Sequence, residues 1–145
     1  MGTVLFIPVF IGAGILDRLL VAAGFSAPAT PQPSFLTAQG TLQFLVAFVL
    51  VVVVAVAEET IFRGYLILRF RALLSSTTAA VVLSAVVFSL GHGYEGTSGV
   101  ITVGVLGAVY AAVYLWRKSL VAPITMHFLQ NFLGVILIPL LTMRQ

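Results

Sequence analysis

The sequence contains no cysteine and very little charge. The absence of cysteine excludes disulfide bonds, thiolate metal sites and cysteine nucleophiles. Only 8% of the residues are charged and 61% are hydrophobic, whereas soluble domains carry roughly a quarter charged residues. A chain of 145 residues with this composition cannot cover a surface that faces water. We therefore predict an integral membrane protein.

Basic residues are few and scattered. The seven lysines and arginines give a formal net charge of +3, but they form no run of the kind that binds nucleic acid. We expect no nucleic-acid partner. Four of them end apolar segments: Arg69, Arg71, Arg117 and Lys118. By the positive-inside rule, we expect the ends of the second and fourth segments to lie on the cytoplasmic side.

Several common sequence signals are also missing. The N-terminus has no basic n-region, and Asp17 and Arg18 interrupt its apolar stretch, so we expect no cleaved signal peptide. The chain has no P-loop, no GxGxxG motif, no nucleophile elbow and no HExxH zinc-protease motif. Any hydrolytic chemistry must therefore use an attacking group other than an elbow serine.

Five apolar segments approach the length of about 20 residues that a helix needs to cross a bilayer. They cover residues 3–25, 40–74, 79–92, 99–116 and 120–141, with a Pro-rich polar loop at 26–39. We predict an all-α fold, a polytopic membrane helix bundle of about five segments with a polar site inside the bundle. Residues 1–145 form a single membrane domain, in which 1–40 are the N-terminal segment and Pro-rich loop and 41–141 are the core.

The second segment is unusually long. Its length of about 34 residues would measure ~51 Å as a straight helix, more than the ~30 Å hydrocarbon core. We expect it to tilt, protrude or bend near Gly64. Residues 75–78 offer N-caps for the third segment. In the fourth segment, Gly104, Ala108 and Ala112 have the spacing at which membrane helices pack closely.

Ionisable and amide side chains within the apolar segments form a short list. It comprises Glu58, Glu59, Arg63, His92, His127 and Asn131. An ionisable group costs a few kcal/mol in lipid, so function is the default explanation. Glu59 and Arg63 are four residues apart in the favourable order for an ion pair. Glu58 projects about 100° away from Glu59 and requires a partner on another helix.

The histidines extend this pattern. His127 and Asn131 share one helical face, and Phe88 precedes His92 by one turn, so its ring is expected beneath the imidazole. Each feature alone has a structural explanation: an ion pair, an interhelical hydrogen bond, or a histidine at the wet interface. Because the polar groups fall together on three segments, we favour one shared site.

A carboxylate and an imidazole in a low-dielectric pocket can activate water as a general base. We assign this role to Glu58 and His92, while His127 and Asn131 supply N–H donors for a developing oxyanion. The best match is hydrolysis of an amide bond by activated water. We expect no cofactor. The alternative is zinc bound by Glu58, His92 and His127, so a glutamic protease and a metalloprotease both remain open.

Three stretches carry a more specific signal: EETIFR at 58–63, FSLGH at 88–92 and HFLQN at 127–131. They resemble, in order, the motifs EExxxR, FxxxH and HxxxN of the CAAX-protease and bacteriocin-processing (CPBP) family of intramembrane proteases, which includes type II prenyl-protein endopeptidases. The resemblance covers roughly residues 41–141. It implies the same roles for Glu58, His92, His127 and Asn131. Glu59 and Arg63 would hold the arrangement together, with Glu59 able to share catalysis.

The resemblance implies an intramembrane endopeptidase that acts on a membrane-associated or lipidated protein or peptide. We expect that substrate and the lipid bilayer as partners, and a bacterial or archaeal cell membrane as the location. The chain is shorter than typical members before the first motif, so a homo-oligomer could complete the substrate cavity. Two other functions stay open: a proton-coupled transporter that uses the buried polar cluster, and a non-catalytic scaffold or immunity factor.

Overall fold

The computed structural model describes residues 2–28 and 40–142, and it contains helices and short turns but no strand within them. Most of the predicted Pro-rich loop, residues 29–39, lies outside the described residues. The helices are α1, Gly2–Ala22; α2, Thr41–Leu74; α3, Thr77–Leu90; α4, Gly96–Arg117; and α5, which begins at Val121 and ends at Thr142. The all-α prediction with five segments is confirmed.

Four of the five helices are long and apolar enough to cross a membrane, namely α1, α2, α4 with the turn before it, and α5. The fourteen-residue helix α3 is shorter. Large apolar side chains on α2 point outward, as a lipid-facing surface requires; they include Leu42, Leu45, Val46, Val49 and Val53. The molecule is a multi-pass membrane helix bundle.

Both helices that carry the first and last motifs contain a π-helical segment. In α2 it covers Thr60–Leu66 and includes Gly64, near which a bend was predicted. In α5 it covers Phe132–Leu137. Each begins directly after a predicted site residue, Glu59 in one helix and Asn131 in the other. Such wide turns occur frequently at functional sites in helices.

Short connections fix the order of the helices. The Ser76 side chain caps α3 by accepting a hydrogen bond from the Ala79 N–H, as the cap prediction requires. Only residues 75–76 separate α2 from α3, and residues 91–95 separate α3 from α4. Because consecutive helices with such short links run antiparallel, the basic ends of α2 and α4 lie at one end of the bundle. Which side of the membrane that end faces stays a prediction.

The close contact between α3 and α4 uses only some of the small residues that were predicted. A Cβ on Gly104 would lie 3.4 Å from Cβ of Ser89 in α3, but Ala108 is only half-buried and Ala112 is exposed. Gly107 and Ala111 are buried instead, and a Cβ on Gly107 would lie only 3.2 Å from Cδ1 of Phe88. The helix is rich in small residues, so a four-residue spacing alone could not identify the buried face.

Helix α1 packs along α4 and α5. Phe6 joins a buried cluster with Leu106, Tyr110 and Met126. At the other end, the backbone N–H and hydroxyl of Ser26 both bond to Oγ1 of Thr97, and the Thr97 N–H donates to the Ser26 hydroxyl. These bonds hold the segment after α1 against the start of α4.

Candidate functional site

Glu59 is the centre of the buried polar cluster. Its side chain is 0% exposed, and its Oε1 accepts hydrogen bonds from Nη1 of Arg63 and Nδ1 of His127, each at 2.8 Å. The ion pair with Arg63 is the one that the four-residue spacing predicts. The bond to His127 was not predicted. It connects α2 to α5 through a single carboxylate oxygen.

The Arg63 guanidinium is enclosed by the bundle. Its Nη2 donates to the carbonyl oxygen of Gly107 at 3.3 Å. Its Cζ lies 4.5 Å from the ring centroid of Phe88 and 5.5 Å from that of Tyr110. A buried cation needs a counter-ion and several hydrogen-bond acceptors or aromatic faces, and Arg63 has all of these. It therefore joins α2, α3 and α4 around Glu59.

Glu58 has a different environment from its neighbour. Its side chain is 30% exposed, and its Oε2 lies 3.6 Å from Nε2 of His127. That distance is too long for a hydrogen bond, and Oε2 has no other hydrogen-bond partner among residues 2–28 and 40–142. The partner on another helix that the sequence requires for Glu58 is thus His127. Glu58 is thus the more exposed of the two glutamates, although its Oε2 atom is itself buried.

Both imidazoles are held through the same ring nitrogen. Nδ1 of His127 contacts Glu59, and Nδ1 of His92 contacts the Phe88 carbonyl oxygen at 3.0 Å. A carboxylate and a carbonyl only accept hydrogen bonds, so we assign the proton to Nδ1 in both rings. In a neutral ring, Nε2 is then an acceptor. The fixed tautomer leaves two Nε2 atoms for the site.

Phe88 supports this arrangement from α3. Its ring centroid lies 4.9 Å from that of His92, as the spacing predicts, and 6.1 Å from that of His127. The same ring stacks against Arg63. One aromatic side chain therefore packs against Arg63 and His127, which contact the glutamates, and against His92.

A cavity of about 220 Å³ opens beside these residues. Its lining brings together four of the predicted site residues, namely Glu58, His92, His127 and Asn131, together with Phe88. Glu59 and Arg63 lie behind His127 and do not line the cavity. The structure thus separates a layer that faces the cavity from a layer that supports it.

Four polar residues of the cavity were missed by the sequence analysis, namely Tyr94, Glu95, Tyr110 and Gln130. The Tyr110 hydroxyl donates to Oε1 of Gln130 at 2.6 Å, and both side chains line the cavity. Because its oxygen is bound to Tyr110, the Gln130 amide must direct its NH₂ group elsewhere. Gln130 could have been found as an amide in an apolar segment beside Asn131. Nothing in the sequence distinguished Tyr110 as a site residue, since aromatic residues are common in membrane helices.

The donor types would suit zinc, because neutral imidazole Nε2 atoms and a carboxylate are common zinc ligands, and each histidine has a fixed Nδ1–H partner. The spacing does not suit it. Within residues 2–28 and 40–142, no group of three or more histidine or acidic side chains is placed to hold a metal ion. Glu58, His92 and His127 border one cavity without forming a coordination sphere.

A known protein family matches this chain. The family model for the type II CAAX prenyl endopeptidase Rce1-like proteins matches residues 40–133, which is more than half of the chain and contains all three motifs. No curated protein and no solved structure matches the chain.

Proposed function

The chain belongs to the Rce1-like family of type II CAAX prenyl endopeptidases, whose members are membrane proteases, and we propose that it hydrolyses a peptide bond by means of water activated at Glu58. The observation that carries this proposal is the contrast between two adjacent carboxylates. Glu59 is fully buried and bonded twice, whereas Glu58 is 30% exposed and faces a cavity that His92 also lines.

In the proposed first step, a water molecule donates one hydrogen to the Glu58 carboxylate and the other to Nε2 of His92. Both groups are acceptors, because Nδ1 of His92 carries its proton toward the Phe88 carbonyl. The water oxygen forms a bond to the carbonyl carbon of the substrate as Glu58 takes the proton. A positioned base of this kind contributes roughly 10²–10⁴-fold to the rate.

His127 and Asn131 are proposed to bind the oxyanion of the tetrahedral intermediate. Asn131 lines the cavity, and its amide group is an N–H donor. His127 offers Nε2–H when its ring is protonated. The Glu59 carboxylate at Nδ1 compensates that charge throughout, and Glu58 near Nε2 does so until it takes the proton from water. The C–N bond then breaks, and the leaving amine takes the proton held by Glu58. No step requires a metal ion.

The substrate is proposed to be a membrane-associated or lipidated peptide. Leu50, Val51 and Val54 of α2 line the same cavity as Glu58. Apolar side chains beside a few polar groups are typical of sites that bind apolar ligands. The lining therefore suits a lipidated or large apolar residue next to the bond that is cleaved.

The test is cleavage of a mixed library of prenylated and unprenylated peptides by the detergent-purified protein and its Glu58→Gln variant, followed by mass spectrometry. Parallel reactions contain a chelator. We expect cleavage that survives the chelator and falls roughly 10²–10⁴-fold in Glu58→Gln. Loss of activity with the chelator would favour a metalloprotease. Undiminished activity in Glu58→Gln would overturn the assignment of the base.

If the folded protein cleaves no peptide, proton flux should be measured in liposomes that contain it. Flux that depends on Glu58 would favour a transporter. Absence of both cleavage and flux would favour the scaffold or immunity factor.

A further inference from the structure

A second cavity, of about 380 Å³, adjoins the first and is acidic. Asp17 of α1 and Glu95, from the turn before α4, both line it, and no lysine or arginine is among its described lining residues. The chain has only four acidic residues, and the other two are Glu58 and Glu59. Every carboxylate side chain of this protein therefore lies at or beside one of two neighbouring cavities.

Glu95 connects the two cavities. It lines both of them, as do Tyr94, Gln130 and Asn131. The Glu95 carboxylate also interacts electrostatically with His92 on the side of the first cavity and with Asp17 on the side of the second. A charged group bound in the second cavity would consequently lie close to the residues that we propose for catalysis.

Within the described part of the chain, the two carboxylates of the second cavity have no lysine or arginine as counter-ion, although the Glu95 carboxylate also shares a hydrogen bond with the Tyr94 side chain. Neither Asp17 nor Glu95 forms an ion pair with another part of the chain in residues 2–28 and 40–142. Arg18, the neighbour of Asp17, is exposed and does not line the cavity. Thr102 lines it, is only 7% exposed, and its Oγ1 has no hydrogen-bond partner in the described part of the chain. These groups suit a ligand that is positively charged and donates hydrogen bonds.

The wall that supplies Asp17 is firmly attached to the bundle. Phe10, Ala13 and Gly14 of α1 line the same cavity. The hydrogen bonds between Ser26 and Thr97 hold the end of this wall against α4. Helix α1 lies outside residues 40–133, the part that the family model matches, so this cavity is not a consequence of the three motifs.

We propose that the second cavity is a specificity subsite for the side chain of a lysine or arginine in the peptide substrate, placed near the bond that is cleaved. This rests on the proposed protease function. An ammonium or guanidinium group supplies the charge that Asp17 and Glu95 require and several N–H donors. The same carboxylates repel a C-terminal carboxylate, so the end of the substrate that enters this cavity is not its free C-terminus.

The proposal is tested by binding, independently of cleavage. Two fluorescent peptides that differ only in Lys or Gln at one position, scanned along the sequence, are titrated into detergent-purified Glu58→Gln protein. We expect the Lys peptide to bind about tenfold more tightly at one position, which corresponds to about 1.4 kcal/mol, because its ammonium group adds a charge-assisted hydrogen bond. Adding Asp17→Asn should remove most of this preference. The matched control Arg18→Gln changes one charge outside the cavity and should retain it.

A charge exchange protects the test against simple loss of folding. The Asp17→Lys variant should instead prefer a peptide with Glu at the same position. Equal binding of the Lys and Gln peptides throughout the scan, or a preference that survives Asp17→Asn, would overturn the subsite. Selective binding of the Lys peptide by a wild-type protein that cleaves nothing would support the subsite and refute the protease function. Cleavage of peptides without any preference for Lys over Gln would support the protease function and refute the subsite.

Discussion

Oε1 of Glu59 lies 2.8 Å from Nδ1 of His127, and the same oxygen accepts a hydrogen bond from Arg63. This contact makes Glu59 a structural partner of the site as well as a member of its first motif. It fixes the plane of an imidazole on a helix that is 68 residues away in sequence. Because Nδ1 is occupied, the chemistry available to His127 is restricted to Nε2.

The two adjacent glutamates should respond differently to the same substitution. We expect Glu59→Gln to lower the free energy of unfolding by about 3–5 kcal/mol, because it leaves the buried Arg63 guanidinium without its counter-ion. Glu58→Gln should change it by less than about 1 kcal/mol, since Glu58 is partly exposed. Unfolding by SDS titration in mixed micelles measures both. Equal losses would show that Glu58 is as structural as Glu59.

Arg63 and Arg69 form a second matched pair, since each stacks on an aromatic ring and only Arg63 is buried. Arg63→Lys should lower the free energy of unfolding by roughly 1–3 kcal/mol, because an ammonium cannot reach Glu59 and Gly107 with the same planar geometry. Arg69→Lys should stay within about 0.5 kcal/mol of the wild type. The same denaturant titration is suitable, and a comparable loss in both variants would argue against a specific role for the buried guanidinium.

Tyr110→Phe should affect the site through Gln130. The variant loses the 2.6 Å hydrogen bond, which contributes about 1 kcal/mol, and it allows the Gln130 amide to turn. We expect kcat/KM to fall by up to about tenfold, in line with 1.4 kcal/mol per factor of ten. Tyr114→Phe is the control, because the described residues include no hydrogen-bond partner for its hydroxyl. An unchanged kcat/KM in Tyr110→Phe would show that the amide orientation is unimportant.

Gly96 allows the segment after α1 to approach the start of α4 closely. Its φ of +73° and ψ of 177° belong to a region that is essentially restricted to glycine, and a Cβ there would lie 2.5 Å from the Ser26 carbonyl oxygen. We expect Gly96→Ala to lower the free energy of unfolding by about 1–3 kcal/mol. We also expect it to make the segment after α1 more sensitive to added protease. Gly93→Ala meets open space and should behave like the wild type. Equal protease sensitivity of the two variants would contradict this role.

The membrane character, the five segments and the candidate site residues could be predicted from the sequence, because these depend on composition and on helical periodicity. An apolar run must form a helix in lipid, where its backbone has no other hydrogen-bond partners. The Glu59–Arg63 ion pair was predicted from a spacing of four residues within one helix, and it is present in the structure. For the same reason, Phe88 was correctly placed beside His92.

Contacts between helices could be predicted less well from the sequence. The spacing of Gly104, Ala108 and Ala112 was right for Gly104, which faces Ser89 of α3, and wrong for the exposed Ala112, because the rotation of a helix about its axis depends on all of its neighbours. From the sequence, Arg63 was the only partner predicted for the Glu59 carboxylate, and the role of α1 stayed open.

Only the tertiary structure decided that His127 bonds to Glu59, that Tyr110 orients Gln130, and that Asp17 lines a cavity beside the candidate catalytic residues. Each of these relationships joins residues from different helices. Local periodicity determines which residues share a face of one helix, but the packing of all five helices determines which faces meet. The sequence by itself therefore determined the groups available for chemistry, and the packed bundle determined which of them can act together.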